Sequence, residues 1–388
     1  MIFWKIFTII DWTLFIFISL TVCYIGFFAV MSLFTRHSET PAAKRQNRFI
    51  VLITSHRSGK SVEMTVNSIL GQSYPQRLFD VTVIADHESE MTKFHLAQQP
   101  VTLLTPNFKK TTRTKSYQLA VNNLPQFKIY DVVIILEAGD VVETEFLTQV
   151  NDAYEAAGTK AIQTHKLSYN RDTTSARLSA IFEEINNSIF RRGHITLGLS
   201  SAMASSGTAF DFTWFKQQIQ NAKATWTEKE LEALLLRQHI YVDYFDHVYV
   251  YNEKVRQADD FNRQHRHIIA NQFKSILRNI RYLPMALFNR HYDLADKLLQ
   301  WMLIPRMLLM IIVIGMSLIT PLIYFTSALK WWGVFAVILF IFALATPNYL
   351  VDDKWDSTFF KIPFILLHPL LKKIKNKKIK DQLSKVVK

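Results

Sequence analysis

Residues 51–86 read VLITSHRSGKSVEMTVNSILGQSYPQRLFDVTVIAD, and this stretch decides the fold. An apolar run at residues 49–54 leads into it, and helical spacing follows over residues 61–70. A second apolar run at residues 79–85 ends at Asp86. Continuous apolar runs that flank a helix are typical of parallel strands covered on both faces. The sequence therefore predicts a strand, a helix and a second parallel strand.

The same alternation continues further along the chain. Residues 101–104 predict a third strand, residues 114–122 a helix, and residues 132–136 a fourth strand that ends at Glu137. An acidic residue that closes a strand is often only a cap for the next helix. Ligands of such sheets, however, lie beyond the carboxyl ends of the strands. We therefore expect Asp86 and Glu137 at a nucleotide and metal site.

Apolar segments flank this α/β region on both sides. Residues 12–34 contain no charge, which predicts a membrane-spanning helix. The segment is too long, and too bulky at its end, for a cleaved signal peptide. Residues 307–325 and 331–346 predict two further spans, joined by a polar linker at residues 326–330. A buried helical hairpin in a soluble core is the alternative.

Positive charge predicts the orientation of the spans. Arg36, Lys44, Arg45 and Arg48 follow the first span, whereas Lys5 precedes it. The positive-inside rule then places the central region and the carboxyl terminus in the cytoplasm, below the inner (cytoplasmic) membrane. The lysine-rich end of the chain, which contributes much of the net charge of +13, agrees with this orientation.

The basic tail favours a membrane partner over nucleic acid. Apolar residues 359–371 precede a cluster of lysines, and this combination suits anionic lipid headgroups. We expect an amphipathic helix on the membrane surface over residues 359–380. The single cysteine, Cys23, lies within the first span, so no disulfide framework and no cysteine metal site is expected.

Several segments together resemble the membrane-bound family 2 glycosyltransferases, which are inverting enzymes that use nucleotide sugars. Residues 51–86 resemble that family's opening unit, including LGQSYP at residues 70–75. RTKSY at residues 113–117 is similar to the segment before its metal motif, and SGTAF at residues 206–210 to its acceptor-side loop. Residues 226–236 resemble the helix that carries its catalytic carboxylate, and residues 261–273 its closing arginine-rich segment.

The resemblance implies a fold of the glycosyltransferase A type, a divalent cation (Mn²⁺ or Mg²⁺), and roles for individual residues. These roles are nucleotide binding by Asp86 and Lys115, acceptor-side contacts by Ser206, Gly207 and Gln264, cation binding by Glu137 and Asp140, and catalysis by Glu228 and Arg266. We expect His56, His165, His265 and His267 to be surface or packing residues.

The sequence departs from the family at three motifs. The metal motif reads EAGD at residues 137–140, with glycine in place of the second aspartate. The base segment reads TEKEL at residues 227–231, and it aligns with either Glu228 or Lys229 at the catalytic position. We prefer Glu228, because the following Glu-Leu pair and leucines fix the helix register. The closing segment reads QHRHI at residues 264–268, which leaves Arg266 one place out of register.

Two functions follow from these features. The first is a membrane glycosyltransferase that moves a sugar, most simply from a UDP sugar, to a lipid or glycan acceptor at the cytoplasmic face. The alternative is a catalytically inactive scaffold or regulator that pairs with an active transferase subunit. A transporter is disfavoured, because the three spans contain almost no internal polar residues.

The predicted organisation has six parts. They are an N-terminal anchor at residues 1–34, a basic linker at 35–48, a glycosyltransferase-like domain at 49–275, interfacial helices at 276–300, a transmembrane hairpin at 301–347, and an interfacial helix with a basic cytoplasmic tail at 348–388.

Reporter fusions test this topology. With three spans, we expect an amino-terminal fusion to report outside the cytoplasm and a carboxyl-terminal fusion to report inside it, because the basic residues lie on the cytoplasmic side. Fusion of the same reporters to an established single-span protein provides the control. Both termini on one side of the membrane would contradict the arrangement.

Overall fold

The computed structural model describes residues 2–35 and 40–351 of the chain. Its centre is an eight-stranded sheet with the strand order β3-β2-β1-β4-β7-β6-β8-β5. The strands are β1 Phe49–His56, β2 Phe79–Asp86, β3 Thr102–Leu104, β4 Val132–Glu137, β5 Asp140–Val141, β6 Ala161–Ser168, β7 Thr208–Asp211 and β8 Val242–Asn252.

Helices cover the sheet and continue beyond it. They are α1 Ile2–Met31, α2 Lys60–Leu70, α3 Glu90–Ala97, α4 Arg113–Asn123, α5 Phe146–Ala157, α6 Thr174–Ile185, α7 Gly193–Thr196, α8 Phe212–Gln220, α9 Glu228–Arg237, α10 Ala258–Asn279, α11 Leu283–Phe288, α12 Tyr292–Met302, α13 Arg306–Ile323 and α14 Phe325–Ala345. A π-helical turn, Asn186–Arg192, joins α6 to α7.

The apolar runs form the strands that the sequence predicts. In β1, Val51 and Ile53 pack into one core, which includes residues of α2 and α5. Ile50 and Leu52 pack into a second core on the opposite face, with residues of α4, α8 and α9. Alternate side chains of a strand point to opposite faces, so both faces of β1 must be apolar. This two-sided burial is why the run is continuous rather than alternating.

The fold class, an α/β sheet of the glycosyltransferase A type, is confirmed. Strands β1 to β4 are parallel, as predicted. Beyond β4 the sheet is mixed, because β7 pairs antiparallel with both β4 and β6. The loop before β7 therefore reaches the same sheet edge as the carboxyl end of β4.

Within the described residues, three helices are long and apolar enough to cross a membrane: Lys5–Phe34, Arg306–Ile323 and Phe325–Ala345. The prediction of a polar linker at residues 326–330 is wrong. Only Tyr324 separates α13 from α14, and residues 326–330 form the first turns of α14. Two polar side chains of these turns, Ser327 and Lys330, bind Asp11 of α1.

Asp11 fixes the direction of α14 against α1. Its carboxylate accepts hydrogen bonds from Ser327 Oγ at 2.8 Å and Trp331 Nε1 at 2.7 Å, and it pairs with Lys330. Further along, Gly26 of α1 approaches Ile341 of α14. The amino ends of both helices therefore lie together, and the two helices run parallel.

The domain also contacts α1 directly, through α7. A Cβ added to Gly193 would lie 2.3 Å from the carbonyl oxygen of Phe28. The imidazole of His194 stacks on the Phe28 ring at 3.8 Å. Tyr24 Oη of α1 lies 3.1 Å from His194 Nε2 and donates to Asp296 of α12 at 2.7 Å. Small residues permit this kind of close helix approach.

Several predictions concern residues outside the described part of the chain. They are Arg36 of the basic linker and the amphipathic helix and lysine-rich tail from residue 352 onward. The predicted interfacial segment at residues 276–300 contains the end of α10, a short turn at Ile280–Tyr282, α11 and most of α12.

Substitution of Gly193 tests the contact between α7 and α1. We expect Gly193→Ala to lower the free energy of unfolding by about 1–3 kcal/mol, because the new methyl group overlaps the Phe28 carbonyl. Thermal unfolding of the purified protein in detergent measures this. Gly333→Ala is the control, since a Cβ there meets no atom within 4 Å. Equal unfolding temperatures for the two variants would disprove the contact.

Candidate nucleotide-sugar site

Three parallel strands end at one edge of the sheet. In the register of β1 and β2, His56 lies opposite Asp86, and in that of β1 and β4, Thr54 lies opposite Glu137. The carboxyl ends of adjacent parallel strands are the usual ligand site of α/β sheets. The structure therefore places the two predicted acidic residues on neighbouring parts of this edge.

Asp86 is buried at the end of β2 and is held by several donors. Its carboxylate accepts a hydrogen bond from Thr111 Oγ1, a longer one from the backbone N–H of Phe108 at 3.4 Å, and contacts His87 Nδ1 at 2.7 Å. Burial alone would raise the pKa of Asp86, but the bonds from Thr111 and His87 outweigh it and hold the pKa below its ordinary value. The carboxylate is therefore fixed and ionised.

His56, Asp86 and His87 form a group that could hold a metal ion. Their ligand atoms lie within 4.8 Å of one another. His87 has a φ of +56°, which is rare for a residue other than glycine and directs its ring towards Asp86. The sequence did not indicate this group, because His56 lies far from Asp86 and His87 in the chain and the three residues have no metal-ligand spacing. It lies at the predicted nucleotide residue, away from Glu137.

Arg113 joins two carboxylates that the sequence assigns to different roles. One guanidinium nitrogen pairs with Glu137 and another with Glu228. Ser205 Oγ donates to the second oxygen of Glu137 at 3.0 Å. Burial would raise the pKa of Glu137, but the charges of Arg113 and Lys166 lower it below its ordinary value. Glu137, the predicted metal ligand, and Glu228, the predicted base, therefore both pair with Arg113.

The start of α9 directs Glu228, rather than Lys229, towards this cluster. Thr227 and Glu230 form a capping box, which sets the first turn of the helix. Glu228 then reaches Arg113, whereas the ammonium of Lys229 lies 5.0 Å from the centre of the Trp301 ring. The geometry agrees with the preferred alignment, although the role of Glu228 as a base stays a prediction.

Asp140 is fully buried and serves the turn after β4. One of its oxygens accepts the N–H of Glu137 at 2.8 Å, and the other accepts from Asn252 Nδ2 at 2.6 Å. Gly139 has a φ of +95°, outside the range that side chains adopt without strain. The turn itself therefore requires the glycine that replaces the second aspartate of the family motif.

The predicted acceptor-side loop also reaches the cluster. Ser206 Oγ accepts a hydrogen bond from Lys166 Nζ at 2.7 Å, and the same ammonium lies 4.0 Å from Asp140. Gly207 has a φ of +68°, and a Cβ there would lie 2.6 Å from Thr164 Oγ1. Glycine at this position lets the loop pass close to β6.

The closing segment does not join the site in this structure. Gln264 and Arg266 lie on the exposed side of α10, and within the described residues no hydrogen bond or ion pair connects either to Glu137 or Glu228. Their neighbour His265 instead packs on Phe261, and burial lowers its pKa to about 4. The predicted roles of Gln264 and Arg266 stay untested.

Lys115 lies near the nucleotide end of the site. Its ammonium donates to the carbonyl of Lys110 at 3.1 Å and lies 5.9 Å from the centre of the Phe108 ring. Phe108 in turn donates its N–H to Asp86. Lys115 and Asp86 are therefore connected through one loop, which is consistent with the predicted nucleotide roles.

Sequence reasoning missed Arg113, Lys166 and Ser205. One signal was present, because Arg113 is a cation in the first turn of a helix that has no acidic residue there. A cation is unfavourable at a helix amino terminus, so such an arginine indicates a carboxylate partner from elsewhere in the fold. Lys166 and Ser205 gave no comparable signal.

As they are arranged here, Glu137 and Asp140 do not fit a divalent cation. Such ions require several free oxygen ligands. Both oxygens of Glu137 are engaged by Arg113 and Ser205, and both oxygens of Asp140 by protein N–H groups. An ion would have to displace the guanidinium.

Comparisons with known proteins agree with this fold. Residues 46–217 match the model of a family described as "Glycosyltransferase like family 2". A search of curated proteins finds no match.

Among solved structures, the chain is similar to a mannosyltransferase from Pyrobaculum calidifontis, solved with GDP-Man and Mn²⁺. The TM-score is 0.50 at 11% identity, over 82% of this chain and 94% of the other. TarS from S. aureus (residues 1–349) matches with a TM-score of 0.44 at 12% identity, over 78% and 82% of the two chains. The same protein with UDP-GlcNAc gives 0.39 at 14% identity, over 78% and 82%.

The fold and the sheet-edge site define the class of glycosyltransferase A-type proteins. Within that class, residues 46–217 match the family 2 glycosyltransferase model, in agreement with the resemblance of the motifs.

Substitution of Asp86 tests the nucleotide end of the site. We expect Asp86→Ala to abolish binding of uridine nucleotides, because the buried carboxylate and its loop contacts are lost together. Isothermal titration calorimetry of the full-length protein measures this. Asp80→Ala is the matched control, because Asp80 lies at the opposite end of the same strand and pairs with Lys128. Wild-type affinity in Asp86→Ala would refute the assignment.

Proposed function

We propose that the protein transfers a sugar from a nucleotide sugar, with a UDP sugar as the expected donor, to a lipid or glycan acceptor at the cytoplasmic face of the inner membrane. The observation that carries this proposal is the position of Glu228 beside Glu137, on the sheet edge that also holds Asp86. The family match of residues 46–217 supports the reaction class.

The transfer needs one base and one leaving group. The oxygen of the acceptor hydroxyl bonds to the anomeric carbon, while the bond from that carbon to the diphosphate oxygen breaks. The electron pair of that bond leaves with the nucleoside diphosphate, and the hydroxyl proton passes to the Glu228 carboxylate. Attack from the face opposite the leaving group inverts the anomeric centre.

The membrane helices support an acceptor that is attached to, or made at, the membrane. Four apolar side chains are exposed on α10 and α11, which α12 separates from the spans α13 and α14: Leu277, Met285, Leu287 and Phe288. Arg281 and Arg290 lie among them. Apolar side chains next to basic ones suit a membrane surface with anionic lipids. In this proposal these helices rest on the membrane and hold the site near it.

The second candidate function is an inactive scaffold or regulator beside an active transferase subunit. The observation in its favour is that the carboxylates of Glu228 and Glu137 are already paired with Arg113. Such a protein would bind nucleotide without turnover. Activity of the protein without any partner separates the two functions.

Substitution of Glu228 decides whether it is the base. We expect Glu228→Gln to lower sugar transfer at least 100-fold, because an amide cannot accept the proton. Nucleotide binding should persist, since Asp86 and its loop do not depend on Glu228. The assay is release of nucleoside diphosphate in membranes, with a panel of UDP and GDP sugars.

Glu90→Gln is the matched control, because Glu90 is also the first residue of a helix and is exposed. Turnover of Glu228→Gln at the wild-type rate would exclude Glu228 as the base. No turnover by the wild type, together with intact nucleotide binding, would favour the scaffold.

A further inference from the structure

The segment from Phe108 to Lys115, which we call the basic segment, connects the two ends of the site. At its start, the N–H of Phe108 and the hydroxyl of Thr111 bind Asp86. At its other end, Arg113 pairs with Glu137 and Glu228. A nucleotide whose base end lies at Asp86, with its sugar at Glu228, would have its diphosphate along this segment.

The basic segment carries an excess of positive charge. Its cations are Lys109, Lys110, Arg113 and Lys115. Lys109 and Lys110 are exposed, and the side chain of Arg113 is 42% exposed despite its two ion pairs. The carboxylates that it faces are Asp86, Glu137 and Glu228, while Asp140 has Lys166 beside it. The four cations of the segment outnumber these three carboxylates.

The arginine also has the geometry for a diphosphate. A guanidinium carries five N–H donors, and the ion pairs with Glu137 and Glu228 each engage one of its terminal nitrogens. The remaining N–H groups are available to phosphate oxygens, and the group stays charged at all relevant pH values. The guanidinium lies against Glu137, which is where the family motif would hold a cation.

We propose that the basic segment, with Arg113 at its centre, binds and neutralises the diphosphate of the donor in place of a divalent cation. The inference rests on the proposed function in so far as it assumes a nucleotide donor. The turn that requires Gly139, and the internal bonds of Asp140, explain why the second aspartate of the metal motif is absent. The leaving diphosphate takes its stabilising charge from the chain itself.

Nucleotide binding with and without metal tests this proposal. The full-length protein in detergent is titrated with UDP and with GDP, first in EDTA and then in Mn²⁺. We expect the dissociation constant to be the same within about twofold in both conditions. Arg113→Ala should weaken binding by about 10- to 100-fold, because charge-assisted bonds to phosphate are lost. The double variant Lys109→Ala, Lys110→Ala should weaken it too, and its exposed positions leave the fold intact.

Arg256→Ala is the matched control. Arg256 also pairs with two carboxylates, Asp172 and Glu253, and its side chain is 49% exposed. Its removal should leave nucleotide affinity unchanged. Binding that requires Mn²⁺, or wild-type affinity in Arg113→Ala, would overturn the metal-free inference and leave the proposed transferase standing. Absence of nucleotide binding in both conditions would overturn both.

Discussion

The two ion pairs of Arg113 hold the site together. Arg113 begins α4, Glu137 ends β4 and Glu228 begins α9, so one side chain connects three elements that are distant in sequence. Without the guanidinium of Arg113 between them, the carboxylates of Glu137 and Glu228 would repel each other. The arginine offsets that repulsion and thereby lets the carboxylates of Glu137 and Glu228 lie on either side of one guanidinium.

The neighbouring bonds connect the departures of this chain from the family's metal motif. Since Asp140 accepts the N–H of Glu137 and the amide of Asn252, it stabilises the turn and offers no free oxygen. That turn places Gly139 in a conformation that disfavours any side chain. A lost aspartate, a longer acid at position 137 and a bridging arginine are therefore parts of one arrangement.

Much of the fold was predictable from the sequence, because the signals were local. The strands at residues 49–56, 79–86 and 132–137 agree with their apolar runs within two residues, and α2 and α4 with their helical spacing within one. The site was less predictable. Asp86, Glu137 and Glu228 were found through motifs, but Arg113 and Lys166 act through contacts with residues far away in the chain. The linker at residues 326–330 was misread for the same reason, since its polar residues bind Asp11.

A series of buried contacts connects α1 to the site. Phe28 of α1 packs on Gly193 and His194, and these follow the π-helical turn that contains Asn187. Asn187 Nδ2 donates to the carbonyl of Lys166 at 2.9 Å. The Lys166 ammonium in turn reaches Ser206 on the predicted acceptor side. These contacts are buried, so α1 and the loop of Ser206 are connected by packed side chains of the domain itself. The close approach of Gly193 to Phe28 therefore contributes to holding the domain against α1.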